Sequence, residues 1–327
     1  MKLPIRLKAL VPGYRAGWRA RYGAMIAELS ALDRRASYGM DGGAPWIELA
    51  DGPRLYGFAT EPENRDIFWL LRADMPARLP MSHFRLAKDV ITRFVYPHMR
   101  PDLKPQGHAP EALFGFHGQH KDAIADLDDA HARTVLMAAF APKPGECIVD
   151  CGAFLGFGDL RLAPDIAPGR IVAIEANRAC HEFLARNIAH NRAANVTALH
   201  HATWDREMEI ELESTFAQGN SLIEEVQKGT RKEKVKTITV DLAVARQGLA
   251  RVDLLSLTLN GAEPETLDGA ARTLRELRPR IRLAGWYVRE GRKIWEHVKP
   301  RLEAHNYRVF VGRRGNVMAL PAERFGT

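Results

Sequence analysis

The chain has 327 residues, 47 Lys and Arg against 40 Asp and Glu, and a formal net charge of +7. Hydrophobic residues at 46% and charged residues at 27% are ordinary globular proportions, which excludes wholesale disorder. No apolar run approaches the roughly 20 residues that span a bilayer. The basic N-terminus lacks the apolar core of a secretory signal, and Cys147, Cys151 and Cys180 are too few for a disulfide framework.

The charge is concentrated at one end. Residues 1–35 hold eight basic groups and two acids, so they carry +6, and the other 39 basic and 38 acidic groups nearly cancel. Within that segment Trp18, Tyr22, Met25, Ile26 and Leu29 recur at steps of three and four, which predicts a helix over 14–35. A basic helix with an aromatic face can lie against an anionic membrane. The same pattern also describes a helix docked by its apolar face with arginines in water. A reducing cytoplasm, with peripheral contact at the inner membrane face through residues 1–35, is the expected location.

Gly39, Gly42, Gly43 and Pro45 then break the chain. PWIELADGPRLYGFA predicts two short strands around Asp51-Gly52, a hairpin signal. Helical segments are predicted near 64–72 and 84–95. Residues 97–110 contain four prolines and form a linker or extended loop. The reading divides the chain into an N-terminal α+β extension, 1–115, and a second domain, 116–327.

In that second domain the pattern alternates. A helix over 122–140 precedes the buried strand Glu146–Asp150, a glycine-rich turn, a helix and the strand Arg170–Glu175. RACHEFLARNIAHN is a helix, and VTALHHA and VDLLSLTL are strands with a helix after the second. RIRLAGWY is a strand, RKIWEHVKPRLEAHN a helix, and YRVFV and VMALP a terminal hairpin. Apolar strands alternating with helices predict a mostly parallel sheet covered on both faces, with an antiparallel strand at or near one edge.

The sharpest motif is IVDCGAFLGFGD, residues 148–159. Its glycines permit φ values other residues resist and let the backbone approach a ligand at the carboxyl ends of parallel strands. Glu175 ends the next strand, 23 residues after Gly152, where a carboxylate can accept both hydroxyls of a ribose. The spacing Gly-x-x-x-Gly-x-Gly is not the Gly-x-Gly-x-x-Gly of a dinucleotide site, and no Gly-Lys-Ser/Thr follows for a triphosphate. Asp150 and Asp159 suit a cationic sulfonium better than a polyanion, so the arrangement fits S-adenosylmethionine.

These residues, with RIVAIEANRACHEFLARNIAHN, NVTALHHATWD, VKTITVDLAV and VDLLSLTLNGAEPETLDGAARTLRELRPRI in that order, resemble an FkbM-type methyltransferase domain over about 145–285. The resemblance implies an α/β class I (Rossmann-like) methyltransferase fold, with a seven-stranded, mostly parallel sheet and an antiparallel last strand. It implies an S-adenosylmethionine-dependent O-methyltransferase acting on a saccharide, glycan or natural-product hydroxyl. Asp150, Gly152, Ala153 and Gly156 would form the cofactor turn and Glu175 would hold the ribose. Trp204 and Asp205 would face the adenine.

The departures are as informative. Phe154 stands where the family has Asn. After the fourth strand, Ser256, Thr258 and Asn260 replace Lys, Asp and Glu of the family pattern, and Gly261 and Glu263 remain. The three positions share one side of an extended chain, so a substrate-side face of uncharged hydrogen-bonding groups is expected. That change also motivates an alternative, a degenerate methyltransferase fold acting as a cofactor-binding scaffold. Deprotonating a hydroxyl calls for a base. The candidates are Glu263, His117 and His120, then Asp205, His200 and His201, with a helix cap the competing role for Glu263. No zinc spacing appears, and no metal is expected. The basic run 272–293 is either a solvated helix face or a surface for an anionic substrate. A nucleic-acid substrate is disfavoured because no Asn/Asp-Pro-Pro-aromatic motif follows the fourth strand and no stacking platform is evident.

Overall fold

A computed structural model describes residues 36–50, 52–59, 79–83, 86–87, 90, 124, 127, 129–214, 221–223, 231–312 and 315–325, with isolated positions 13 and 16. The helix over 14–35, the helix near 64–72, the linker 97–110, His117 and His120 lie outside these residues. The chain forms two compact units, Met1–Tyr96 and Pro97–Thr327.

The first unit contains a three-stranded antiparallel sheet of β1 (Ala36–Asp41), β2 (Ala44–Leu49) and β3 (Arg54–Tyr56), in that order. The hairpin around Asp51-Gly52 forms as predicted, with Trp46 opposite Tyr56 and Glu48 opposite Arg54. Gly42 and Gly43, both at positive φ, do not end the structure but turn β1 into β2. Gly39 is required by close packing, since a Cβ there would run into the Trp46 ring. The Arg54 guanidinium lies over that ring, 4.0 Å from its centroid, and pairs with Glu48. Leu86, Ala87 and Val90, within the segment predicted as 84–95, are helical.

The second unit is an α/β sandwich. Its elements run α1 (Ala130–Phe140), β4 (Cys147–Cys151), α2 (Phe157–Ile166), β5 (Arg170–Glu175), α3 (Arg178–His190) and β6 (Val196–His200). Then come β7 (Ala202–Thr203), β8 (Glu209–Ser214), β9 (Arg231–Ile238), α4 (Val240–Arg246), β10 (Leu254–Leu257) and α5 (Glu263–Asp268). β11 (Arg280–Ala284), β12 (Val288–Arg289), β13 (Arg292–Lys293), α6 (Ile294–Ala304), β14 (Tyr307–Val311) and β15 (Asn316–Pro321) complete it. The main sheet has seven strands in the order β14-β15-β11-β10-β4-β5-β6. β6, β5, β4, β10 and β11 are parallel, and β15 runs antiparallel to both β11 and β14. The antiparallel strand therefore sits one place inside the edge. This is the class I methyltransferase topology.

Period-two alternation divides each strand between two cores. Val149, Cys151, Val172, Ile174, Leu255, Leu257, Ile281 and Leu283 face one way and pack with residues of α4, α5 and α6. Ile148, Ile171, Ala173, Leu254 and Met318 face the other way, toward α1, α2 and α3. Caps fix the helix starts that frame the site. Asp129 accepts from Ala132 N, Asn177 from Cys180 N, and Thr239 from Leu242 N.

β8 and β9 form a hairpin arm that the sequence reading passed over. Glu209, Glu211 and Glu213 stand opposite Lys236, Lys234 and Lys232, and ion pairs run Lys234–Glu209 and Lys232–Glu213 at 3.0 Å. EIELES and KVKTI alternate with period two, and their charged residues share a face. That alternation was the available signal.

Candidate active site

The site is built at the carboxyl ends of β4, β5 and β10. β4 delivers Asp150 into the turn Gly152–Gly156, which enters α2. Gly152 N and Ala153 N both donate to Ile174 O, at 2.8 and 3.1 Å, stitching the turn to β5. Gly152 and Gly156 have φ of +86° and +74°. At Gly152 a Cβ would collide with the Thr258 carbonyl, and at Gly156 with Leu184. The glycines thus serve packing within the protein as well as any ligand. Between them Phe154 is left-handed, at φ 56°. Asn tolerates that conformation and a bulky residue resists it, so the Phe holds a strained turn that its neighbours must enforce.

Those neighbours are visible. Glu175 accepts from Phe154 N through one carboxylate oxygen and from Asn177 N through the other, both at 2.8 Å. Asn187 of α3, fully buried, donates to Leu155 O at 3.0 Å. Burial pushes the Glu175 carboxyl up to about 7, backbone N–H donors oppose that rise, and the Asp150 charge adds to it. The Ala176 N–H is a third backbone donor to this carboxyl, so of its roughly four acceptor positions about one remains beyond these contacts.

On the other side of the turn, β10 ends at Leu257 and the loop 258–261 follows. Thr258 N donates to Cys151 O at 2.9 Å. Asn260 is left-handed, at φ 54°. Glu263, fully buried, accepts from Leu259 N at 2.8 Å and Gly261 N at 2.9 Å. Burial pushes this carboxyl up to about 7 as well. Both its oxygens are committed to the loop, so its geometry is that of a loop clamp, not of a base presented to an acceptor. Ser221 donates to Asn260 O at 2.8 Å and Arg289 to Gly261 O at 3.2 Å, so three separate segments hold the loop.

The expected uncharged face at 256, 258 and 260 does not form. Ser256 is only 1% exposed, and its Oγ receives the Arg282 guanidinium at 3.0 and 3.2 Å. It lies beneath the site, on the α1–α3 side, beside a buried cation. Thr258 Oγ1 is different. It is buried and, among the described residues, finds no hydrogen-bond partner.

The remaining candidates scatter. Trp204 is half-buried and Asp205 is exposed, with Arg206 as a 3.9 Å neighbour. Their loop packs on the end of α5, where a Cβ at Gly269 would collide with Trp204 O. His200 stands in register with Glu175, meets Ala176 O at 3.1 Å and has the His181 ring 5.0 Å away. Burial lowers the pKa of His181 and His201, and His201 Nδ1 has no hydrogen-bond partner among the described residues. Cys151 packs in the core with Cys147 against it. The basic run 272–293 dissolves into separate structural contacts. Arg278 pairs with Glu323, Arg280 with Glu146, and Arg289 with Glu265, while Arg292 and Lys293 are exposed. Among the described residues no group of three or more His, Cys, Asp or Glu is placed to hold a metal ion.

The decisive comparison is with family models. Residues 150–309 match the methyltransferase FkbM domain. Over these residues the chain is similar to the FkbM methyltransferase family. The matched span opens on Asp150, the first residue of the site, and closes within β14. No curated protein matches the chain. Among solved structures, a methyltransferase FkbM from Methylobacillus flagellatus KT is 14% identical, with a TM-score of 0.41, over 62% of this chain and 59% of that one. This chain thus spans 59% of that protein's length. A SAM-dependent methyltransferase from Aquifex aeolicus is 15% identical over 61% of this chain and 96% of its own, with a TM-score of 0.35. A methyltransferase from Geobacter sulfurreducens is 16% identical over 68% and 93%, also at 0.35. Likenesses this distant bear on no detail of the site. Among the described residues no helix is long and apolar enough to cross a membrane.

Proposed function

We propose that this chain is an S-adenosylmethionine-dependent O-methyltransferase acting on a hydroxyl of a saccharide, glycan or natural product. The observation that carries the cofactor is the turn itself: a strained glycine-framed loop held by Glu175 and packed against the Thr258 backbone at the strand ends. The residues fit the cofactor. Glu175 keeps an acceptor position for a ribose hydroxyl, Asp150 supplies negative charge near a sulfonium, and Thr258 Oγ1 can donate to or accept from the ligand. When bound, the cofactor supplies a methyl group with a good leaving group, and in-line displacement then depends mainly on alignment. Alignment is what the chain provides. Glu263, Ser221 and Arg289 lock the loop 259–261 at the acceptor side, and the Gly152–Thr258 contact fixes it against the turn.

A second reading is favoured by one specific observation. Glu263 is spent on its own loop, so the described residues offer no aimed base at the acceptor side. That suits a cofactor-binding scaffold as well as an enzyme that works by positioning. Calorimetry with S-adenosylmethionine and S-adenosylhomocysteine tests the cofactor. Conversion of labelled S-adenosylmethionine with a panel of hydroxylated saccharides, with mass spectrometry to place the methyl on oxygen, tests the reaction. Binding without turnover on any acceptor would favour the scaffold, and binding of neither ligand would sink both readings.

A further inference from the structure

Four polar side chains share the α1–α3 side of the sheet where an apolar layer is the rule. Asp150 of β4 is 3% exposed, Ser256 of β10 1%, Arg282 of β11 3%, and Asp159 of α2 0%. Register aligns three of them in one row across the sheet: Asp150 opposite Ser256, and Ser256 opposite Arg282. Asp150 and Arg282 are therefore two strands apart, roughly 9–10 Å at the backbone. An arginine side chain covers much of that distance if nothing bulky stands on the strand between. Ser256 is small there, and its Oγ accepts from Arg282 Nε and Nη2, so the guanidinium crosses β10 toward β4.

The charges demand such a crossing. A buried charge without a counter-charge is strongly unfavourable. Burial, with a smaller push from Arg280, brings the Arg282 guanidinium down to about 9 even though the charges of Asp150 and Asp159 oppose that pull. Asp159 gains further from its place in the first turn of α2. The other charged or titratable neighbours are accounted for. Arg280, on the same face of β11, is paired in bidentate fashion with Glu146 at 2.6 and 2.7 Å, at the opposite ends of β4 and β11. Glu175 and Cys151 feel the Asp150 charge, Glu175 from the end of β5 and Cys151 from the other face of β4.

Asp150 and Asp159 bracket the glycine-rich turn, one before it and one after. We propose that Arg282 is a positioning residue of the cofactor site: reaching over Ser256, it is the buried counter-charge for the two carboxylates that flank the turn, one before it and one after. It acts through those carboxylates and not on the ligand. The cofactor role of the turn rests on the function proposed above; the charge pairing does not.

The test uses the full chain with Arg282→Met, Arg282→Lys and the double variant Ser256→Lys/Arg282→Met, which puts a cation on the strand next to Asp150. Thermal unfolding without ligand is followed at pH 5 and pH 8, and S-adenosylhomocysteine binding by calorimetry at both. Without Arg282 the carboxylates ionise in the unfolded chain more readily than in the folded one, so stability falls as pH rises. Arg282→Met is expected to lose at least about 5 °C more in midpoint at pH 8 than at pH 5. Its affinity relative to wild type is expected to fall at least tenfold at pH 8 and less at pH 5. Arg282→Lys and the double variant are expected to recover most of both. An equal loss at the two pH values, or no recovery with a lysine at either position, overturns the proposal, because a merely space-filling arginine predicts both. If Arg282→Met does not fold, folding of the double variant supports the pairing, and its failure to fold overturns it. Wild-type protein that binds no S-adenosylhomocysteine sinks the cofactor reading and leaves the unfolding series to decide this one.

Discussion

Replacing Glu175 by alanine separates two roles that one carboxylate combines. Its ribose role predicts loss of S-adenosylhomocysteine affinity. Its bracing role predicts loss of stability, because the buried N–H groups of Phe154 and Asn177 lose their acceptor, at about 1–3 kcal/mol each. The sign of the pH dependence adds a third expectation. The folded carboxyl sits at about 7 against an ordinary 4.5, so between those values the folded state keeps a proton that the unfolded chain releases. Wild-type stability contributed by this group is therefore greatest below 4.5 and falls by about 3 kcal/mol as pH rises to 7. The alanine variant lacks that fall. Its deficit of roughly 2–6 kcal/mol at low pH should shrink by about half or more at pH 8. Because ribose hydroxyls donate to the ionised form, wild-type affinity should rise as pH passes through 7. Chemical denaturation at pH 5 and pH 8 measures the first effect, and calorimetry measures the second. Retained affinity in the variant would refute the ribose assignment, and a deficit independent of pH would refute the account of the buried carboxyl.

Gly152→Ala places a Cβ against the Thr258 carbonyl and forces alanine to a φ of +86°. Left-handed strain and overpacking together should cost about 2–5 kcal/mol in denaturant unfolding, with cofactor affinity lost in parallel. An unchanged unfolding midpoint would show that β4 and β10 do not meet there. Glu263→Gln keeps one acceptor for the two loop N–H groups and should lower stability by about 1–3 kcal/mol near pH 5. The effect should weaken toward pH 8, because the wild-type carboxyl, raised to about 7, loses stability as pH rises through 4.5–7. Thermal scans check this, and S-adenosylhomocysteine affinity within about threefold of wild type would separate the loop clamp from the cofactor contact.

The fold was legible where burial on both faces imposes continuous apolar strands. β4, β5, β6, β10, β11 and the β14–β15 hairpin fall where the sequence places them. The antiparallel strand's place inside the edge was not legible, because pairing order is a property of the whole sheet. β1 was hidden by its own glycines, which read as a break although they form a two-residue turn. In the site, the turn and Glu175 announce themselves through local spacing. Asn177 could have been found as a cap before a helix, whereas Asn187 touches Leu155 only because α3 crosses the turn. Arg282 was invisible for the same reason. Its meaning comes from register across three strands, and in the sequence it is one arginine among many. Reading Ser256, Thr258 and Asn260 as one neutral face failed because the left-handed Asn260 and the buried Arg282 both depend on tertiary neighbours.

The loop 259–261 has a consequence for anyone who would retarget this protein. Its shape is encoded in three places far apart in the chain: the carboxylate at 263, the hydroxyl at 221 beyond the β8 arm, and the guanidinium at 289. Grafting the segment 256–263 from another methyltransferase would transplant the loop without its supports. The shape of this loop is accordingly a modular trait only if the arm and the β12–β13 hairpin travel with it, and a library that varies all three together samples loop shapes that a single-segment exchange cannot reach.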